Sequence, residues 1–422
     1  MKNFTCKGIK TRNCHSVVQK DYIKLFWLLI FLLITNYVFT QTQPAVDLDQ
    51  VRNGEVSSPN IPGEWVNGNL GPEQAHLAEG FSVPYRAKMS NLTPGMTVTI
   101  VLEYDVKHTE KHALDFLTNY DFMEPHEAAF GHVNLEALNP TLGTVFEEPY
   151  PATPDDEFEI PNYPDDSYSI AVKDGVLQPK TIQNTIRLAG GANMSIWNGD
   201  IIDISYGPAP DLNDDKTAQQ IKVRFIVGNE FAPDAKQPVL LAWGGHIASR
   251  ADWDFDDGLI ASAGGISGSP YHMRLISWGT NVDGTTGINN LGNQDRSLKA
   301  SAVVPPPSCT PDGPQRLCVG TGSQLYTATT DNLPGVTYFY SWTILNDAEF
   351  PNSSGATFPE DEDLTLDSVN VNPGGAGEYT VQVQITSQFG STECKVTTKV
   401  DKAAYAGVDG SDRFCEGDQT KN

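Results

Sequence analysis

"GEYTVQVQITSQFGSTECKVTTKV" (Gly377–Val400) decides the fold class. Two long runs alternate β-branched or aromatic residues with polar ones, and Phe389, Gly390 and Ser391 separate them. Alternation with period two puts every second side chain on one face of a strand, and a glycine between the runs supplies a turn. The stretch therefore reads as a hairpin of two long strands. Upstream, "VTYFYSWTI" (Val336–Ile344) is strongly strand-like. A central strand carrying a tryptophan, followed by a late hairpin carrying a cysteine, is the pattern of an immunoglobulin-like sandwich. Residues 308–402 are thus expected to form a small all-β unit, with Trp342 packed against a disulfide. Cys394 is expected to pair with Cys318 or with Cys309, and the spacing leaves both open. Zinc is a poor alternative, because C-x8-C with no nearby histidine does not match metal-ligand spacing.

"AVVPPPSCTP" (Ala302–Pro311) precedes this unit and reads as a stiff proline linker over residues 302–311. Before it, residues 43–305 read as one large β domain. "MTVTIVLEYDV" (Met96–Val106) and "QQIKVRFIVG" (Gln219–Gly228) alternate, and "PVLLAWGGHIA" (Pro238–Ala248) is apolar enough for a strand buried on both faces. "NMSIWNGDIIDISYG" (Asn193–Gly207) holds two apolar runs around Asn-Gly and predicts a hairpin. "EKHALDFLTNY" (Glu110–Tyr120) is the best helix signal. The stretch 139–166 is rich in proline and acid and predicts a surface insertion. Frequent short strands with Gly, Pro, Asn and Asp between them point to a jelly-roll type of sandwich.

The ends of the chain read differently. A basic stretch and the apolar "LFWLLIFLLI" (Leu25–Ile34) make residues 1–40 a secretory signal peptide, cut near Thr40–Gln41. That apolar run is short for a bilayer span, which takes about 20 residues, so stable membrane insertion is not expected. In the tail, residues 405–422, "FCEGD" echoes "LCVGT" (Leu317–Thr321), as in the truncated start of a further repeat. The net charge of the 422-residue chain is -25. Such acidity argues against nucleic acid and anionic lipid as partners, since phosphate binding needs a positive footprint. The cysteines that follow the signal are Cys309, Cys318, Cys394 and Cys415, and export makes disulfides among them reasonable.

Two resemblances extend this reading. On "SWTI", "GEYTVQVQITSQFG" and the Cys318/Cys394 framing, the last module resembles the PKD-like and Ig-like repeats of secreted modular proteins of gliding, Bacteroidetes-type bacteria. Such repeats are spacers or binding units. The large domain resembles an uncharacterised domain of exported bacterial surface proteins. The stretches that carry this likeness are "VPYR" (Val83–Arg86), "LEYDVKHTEKHALDFLTNYD" (Leu102–Asp121), "LAWGGHIAS" (Leu241–Ser249), "ISGSPYHMRL" (Ile266–Leu275) and "GNQDRSL" (Gly292–Leu298). The resemblance implies a surface-protein context and no activity. The fold expected is all-β, a large jelly-roll-like β-sandwich followed by an Ig-like/PKD-like β-sandwich.

"ADWDFDD" (Ala251–Asp257) followed by "GLIASAGGISGSPYH" (Gly258–His272) holds the densest chemistry. Asp252, Asp254 and Asp256 alternate and Asp257 follows, so a curved loop can offer several carboxylate oxygens to one hard cation. That favours calcium, although the spacing is not that of an EF-hand. A solvated acidic loop is the alternative. Ser267 lacks the closing glycine of G-x-S-x-G and no helix follows it, so "GGISGSPYH" reads as a turn feeding a strand. His108 and His112 would share a face on a helix. A set of His112, His246 and His272 is a possible metal group, with core or edge positions preferred for all three. No motif selects a carboxylate pair for glycoside hydrolysis. Trp65, Tyr85, Tyr163, Trp197 and Trp253 are the candidate aromatics for stacking on sugars, against a default of burial.

These features predict an exported, secreted or cell-surface protein without catalytic residues. It would act in adhesion or extracellular binding, with calcium as its one cofactor and a surface or matrix glycan or protein as partner. A polysaccharide-active enzyme with an accessory Ig-like domain and a structural spacer are the two competing expectations.

Overall fold

The computed structural model describes residues 43–123, 138–147, 153–162, 179–231, 236–253, 262–268, 270–288, 291–331, 336–387 and 389–402. The signal peptide and the repeat-like tail expected from the sequence lie outside these residues. Strands dominate. In the first part of the chain they are β1 (Ala45–Glu55), β2 (Ser58–Val66), β3 (Leu77–Ala78), β4 (Ser82–Leu92), β5 (Thr97–His108), β6 (Lys111–His112) and β7 (Leu114–Thr118). There follow β8 (Asp156–Glu159), β9 (Asn193–Trp197), β10 (Gly199–Tyr206), β11 (Thr217–Val227), β12 (Gln237–Ile247), β13 (Tyr271–Gly279), β14 (Asp295–Leu298) and β15 (Val303–Val304).

Two antiparallel sheets face each other across one core. One has the order β2-β1-β4-β12-β9-β8 with β7 beside β12; the other has β10-β11-β5-β13-β14 with β6 beside β5. The chain changes sheet between β4 and β5, between β9 and β10 and between β12 and β13, which makes the sandwich jelly-roll-like. Alternate residues of β5, Val98, Ile100, Leu102 and Tyr104, meet Tyr85, Leu241 and Trp243 in the core.

Two local expectations are corrected. "NMSIWNGDIIDISYG" is not a hairpin: β9 pairs with β12 and β8, and β10 pairs with β11 in the opposite sheet. Asn198 makes the corner at φ +57°, a conformation that asparagine tolerates. Its buried amide donates to the Pro238 carbonyl at 2.7 Å and accepts from the Glu230 N–H at 3.0 Å. "EKHALDFLTNY" is not helical either. It supplies β6 and β7, and all five residues of β7 are buried. An apolar run buried on all sides can meet either pattern, and here tertiary pairing with β12 overrides local preference. A Cβ at Gly244 would overlap the Thr118 hydroxyl and the Asn119 carbonyl, so only glycine lets β12 lie this close to β7. Helix forms instead at α1 (Pro179–Leu188), which opens on a proline and is followed by Gly190 at φ +81°.

The stretch 139–166 is tied down at its described positions. Arg86, buried in β4, pairs with Asp49 at 2.9 Å and donates to the Pro140 and Leu142 carbonyls at 2.6 Å each. Phe146 packs with Trp197, Leu240 and Ala242, and β8 is an edge strand of the first sheet.

The second sandwich contains β16 (Thr310–Asp312), β17 (Arg316–Cys318), β18 (Gln324–Thr329), β19 (Phe339–Ile344), β20 (Ser368–Val371), β21 (Gly377–Ser387) and β22 (Gly390–Asp401). Its sheets are β16-β18-β20 and β17-β22-β21-β19. The opening segment is shared: β16 joins one sheet, and β17 runs parallel to the last strand, β22, in the other. This strand order is Ig/PKD-like. The hairpin of β21 and β22 pairs from Gly377↔Val400 to Ser387↔Gly390. Trp342 is buried on β19 and donates to the Leu366 carbonyl at 2.8 Å. Cys309 is bonded to Cys394, and both pack against the cluster that holds Trp342. Cys318 is disulfide-bonded too, but to neither of these two. In place of a bridge between β18 and β21, Tyr326 and Tyr379 share a hydroxyl contact of 2.8 Å, and Tyr326 meets the Thr398 hydroxyl at 2.6 Å.

Arg86→Ala should strip the main partner from a buried carboxylate, so urea denaturation should show a loss of about 3–5 kcal/mol. The Cys309–Cys394 bridge spans 85 positions of sequence. Replacing both residues by serine should cost the small sandwich about 4 kcal/mol, read as faster exchange of the β21 and β22 amides.

Candidate functional site

The acidic run begins in α2 (Arg250–Trp253). Asp254, Asp256 and Asp257 lie outside the described residues, as does the side chain of Asp252. The chain resumes at Ser262, and a 3-10 turn at Ala263–Gly265 leads toward β13. Both limbs that flank this run are described, and together they form a closed, buried stem.

Glu79 closes it. Its Oε2 accepts the Arg250 N–H at 3.0 Å on the leading limb. Its Oε1 accepts the Ser262 hydroxyl and the Gly264 N–H, each at 2.7 Å, on the returning limb. A Cβ on residue 264 would stand 2.8 Å from that oxygen, which explains the glycine. Lys111 adds a bond from its ammonium to the Gly265 carbonyl at 2.5 Å. Burial pushes the Glu79 carboxyl up to about 7, against the three hydrogen bonds and Arg250, which pull it down.

Beneath the leading limb lies a second polar chain. The Trp253 indole N–H donates to Asp115 Oδ2 at 3.2 Å, and the Trp253 ring stacks on His112 at 3.2 Å between centroids. Asp115 Oδ1 meets His246 Nδ1 at 2.6 Å, and His246 Nε2 donates to the Gly80 carbonyl at 2.9 Å. His246 also stacks on Phe116, with centroids 4.1 Å apart. Burial, with Lys107 nearby, pushes the His112 pKa down to about 3, so its ring is neutral at ordinary pH.

His246 and His272 sit in separate polar pairs, in keeping with the core or edge positions preferred for them. Both nitrogens of His246 are committed, and His272 lies in the other sheet with Nδ1 on Asp295 at 2.6 Å. His272 belongs to a cross-strand row in which Arg274 pairs with Asp105 at 2.7 Å and with Glu103 at 3.4 Å. Among the described residues, no group of three or more His, Cys, Asp or Glu is placed to hold a metal. His108 and His112 do not share a helical face. They flank a tight hairpin turn in which Thr109 and Glu110 adopt φ +49° and +67°. His108 lines a cavity of about 360 Å³ with Thr109, Glu110, Asp215 and Lys216. Ser267 is exposed in the turn before β13, with His246 and His272 each bonded to its own carboxylate.

The described aromatics weighed for sugar stacking follow, for the most part, the expected default of burial. Tyr85, Trp197 and Trp253 are buried. Trp65 is half-buried, covered by the Arg86 guanidinium at 4.6 Å and bonded through its indole to the Asn139 carbonyl. Tyr163 lies outside the described residues. Reading by motif passed over Glu79 and Asp115, which organise the stem. Their signal was local: each is a lone acid in an apolar run, "HLAEGF" and "HALDFL", a context that predicts a buried and partnered carboxylate.

No protein-family profile and no curated protein matches the chain. Solved structures show distant likeness. A PKD domain of human KIAA0319 is similar at 18% identity, covering 24% of this chain and 88% of that one, with a TM-score of 0.18. The C-terminal domain of the Streptococcus agalactiae AgI/II polypeptide BspA is similar at 7% identity, covering 84% and 99%, with a TM-score of 0.31. Extracellular domains 3–5 of Drosophila OTK are similar at 14% identity, covering 39% and 44%, with a TM-score of 0.17. The fold described above rests on strand order and pairing.

Because Glu79 binds its proton more tightly when folded, its contribution to stability is complete below pH 4.5 and is lost as pH rises to about 7. Chemical denaturation from pH 4.5 to 7.5 should show a fall of about 3 kcal/mol from this group, and Glu79→Gln should flatten it.

Proposed function

We propose that this chain is an exported, non-catalytic surface or matrix protein that works in adhesion or extracellular binding, with calcium held by the acidic run. The observation that carries the reading is the stem. An acid-rich segment, Asp252 to Asp257, sits between limbs that one buried carboxylate closes. Binding segments mounted on a rigid base are the usual way for a sandwich to present function. Oxygen ligands on alternate residues suit calcium. The disulfide that closes the second sandwich supports an oxidising, extracellular setting. The net charge of -25 supports a glycan or protein partner rather than nucleic acid.

The mechanism on this reading is attachment by several weak modules, with no turnover. Calcium would be held by the carboxylates of the acidic run, with the stem as its base. The resemblance to exported proteins of gliding bacteria points the same way.

The chain from Gln41 onward should melt at a higher temperature in millimolar calcium than in EDTA, because a ligand bound only by the folded state raises stability. Asp254→Ala should abolish the shift while leaving the melt in EDTA unchanged. Equal melting temperatures in the two conditions would remove calcium from the proposal. Release of soluble sugar from a polysaccharide panel, lost on mutating one carboxylate pair, would replace it with the enzyme reading.

A further inference from the structure

The stem and the joint between the two sandwiches use the same residues. Arg250 is buried, and its backbone N–H is one of the bonds that Glu79 accepts. Its guanidinium points the other way. Nη1 donates to the Pro306 carbonyl at 3.2 Å and to Asp331 Oδ2 at 3.4 Å in the second sandwich. Asp331 is itself held rigidly. Its Oδ1 accepts the Ser308 N–H at 2.8 Å and the Ser308 hydroxyl at 2.7 Å, and its N–H donates to Ser308 Oγ at 2.8 Å. Burial opposes ionisation, yet Ser308 and Arg250 hold the Asp331 carboxyl below the usual range, so an anion faces the guanidinium.

Glu79 straddles the same boundary. Its side chain closes the stem, and its backbone N–H donates to Val304 in the linker at 3.1 Å. There the linker is a short parallel strand, Val303↔Leu77 and Val304↔Ala78. Apolar contacts seal the rest. Ala78 and Phe81 of the first sandwich meet Val304, Val336 and Phe389, the last from the β21–β22 turn. The proline segment is therefore clamped along its length, and the clamp and the stem have Glu79 and Arg250 in common.

We propose that the stem of the acidic run and the joint between the sandwiches are energetically coupled, with Arg250 and Glu79 as the shared residues. A change that loosens one must loosen the other, because neither residue can leave one set of partners without straining its second set. Coupling of this kind is reciprocal, so it has to be visible from both ends. The coupling needs no ligand and is independent of calcium.

The test uses the whole chain and one variant on each side. Asp331→Asn weakens the joint, and hydrogen exchange is read at the Arg250 and Gly264 amides of the stem. We expect exchange there to rise about tenfold, within the usual range of coupling, while the β21 and β22 amides keep their protection. Ser262→Ala removes one bond to Glu79 in the stem. Spin labels at the exposed positions Val282→Cys and Leu325→Cys then report the distance between the sandwiches, and we expect its distribution to broaden. If each variant alters only its own side, the coupling is refuted. If Asp331→Asn unfolds the second sandwich, seen as lost protection in β21 and β22, the Ser262→Ala distances decide alone: broadening upholds the proposal and an unchanged distribution overturns it.

Discussion

One buried carboxylate, Glu79, holds together parts of the chain that are far apart in sequence. It bonds the amide of Arg250, the hydroxyl of Ser262 and the amide of Gly264, while its own backbone is tied to Val304. Leaving a group of this kind unpaired in an apolar interior would cost several kcal/mol, so the loop limbs and the linker have little choice of position once Glu79 is buried. Arg250 extends the constraint into the second sandwich through Asp331. The position of the two limbs that flank the acidic run and the placement of the two modules thus descend from the same buried polar cluster.

The same logic explains several motif-like stretches of the first sandwich. "VPYR" contributes Tyr85, stacked 6.1 Å from Trp243, and Arg86, which pins residues 140–142. "LAWGGHIAS" contributes the glycine that admits β7 and the histidine that Asp115 holds. "GNQDRSL" solves an edge problem. Strand β2 pairs with β1 only from Gln50 onward, so the first half of β1 has an open edge. Gln294 bonds Leu48 N–H and the Val46 carbonyl at 2.8 Å each, and Arg296 bonds the Leu48 carbonyl at 2.5 Å. Two side chains thereby stand in for a missing strand, which stitches the sheets together and covers an edge that could otherwise recruit another chain. These motifs record how the sandwich closes.

The elements legible in the sequence are those written in local alternation. Thr97–His108, Thr217–Val227 and the Gly377–Asp401 hairpin are strands because every second residue is apolar, and the turn at Gly390 follows from glycine itself. "GGISGSPYH" was readable as a turn feeding a strand because Pro270 and the missing glycine rule out a nucleophile elbow. The stem was harder to see. Glu79, Asp115, Arg250 and Ser262 carry no motif, and they are separated by up to 183 positions.

Local pattern is enough to dictate the all-β class, the strands with clear alternation, and the presence of an acidic run between two apolar segments. Tertiary structure alone decided the corner at Asn198, the strand state of Leu114–Thr118, the choice of Cys309 over Cys318 for Cys394, and the carboxylate partners of His246 and His272. The physical reason is common to all four. Period and turn chemistry say which side of a segment is buried. Which other segment covers that side depends on shape and hydrogen-bond satisfaction summed over the whole core, and no local pattern contains that sum.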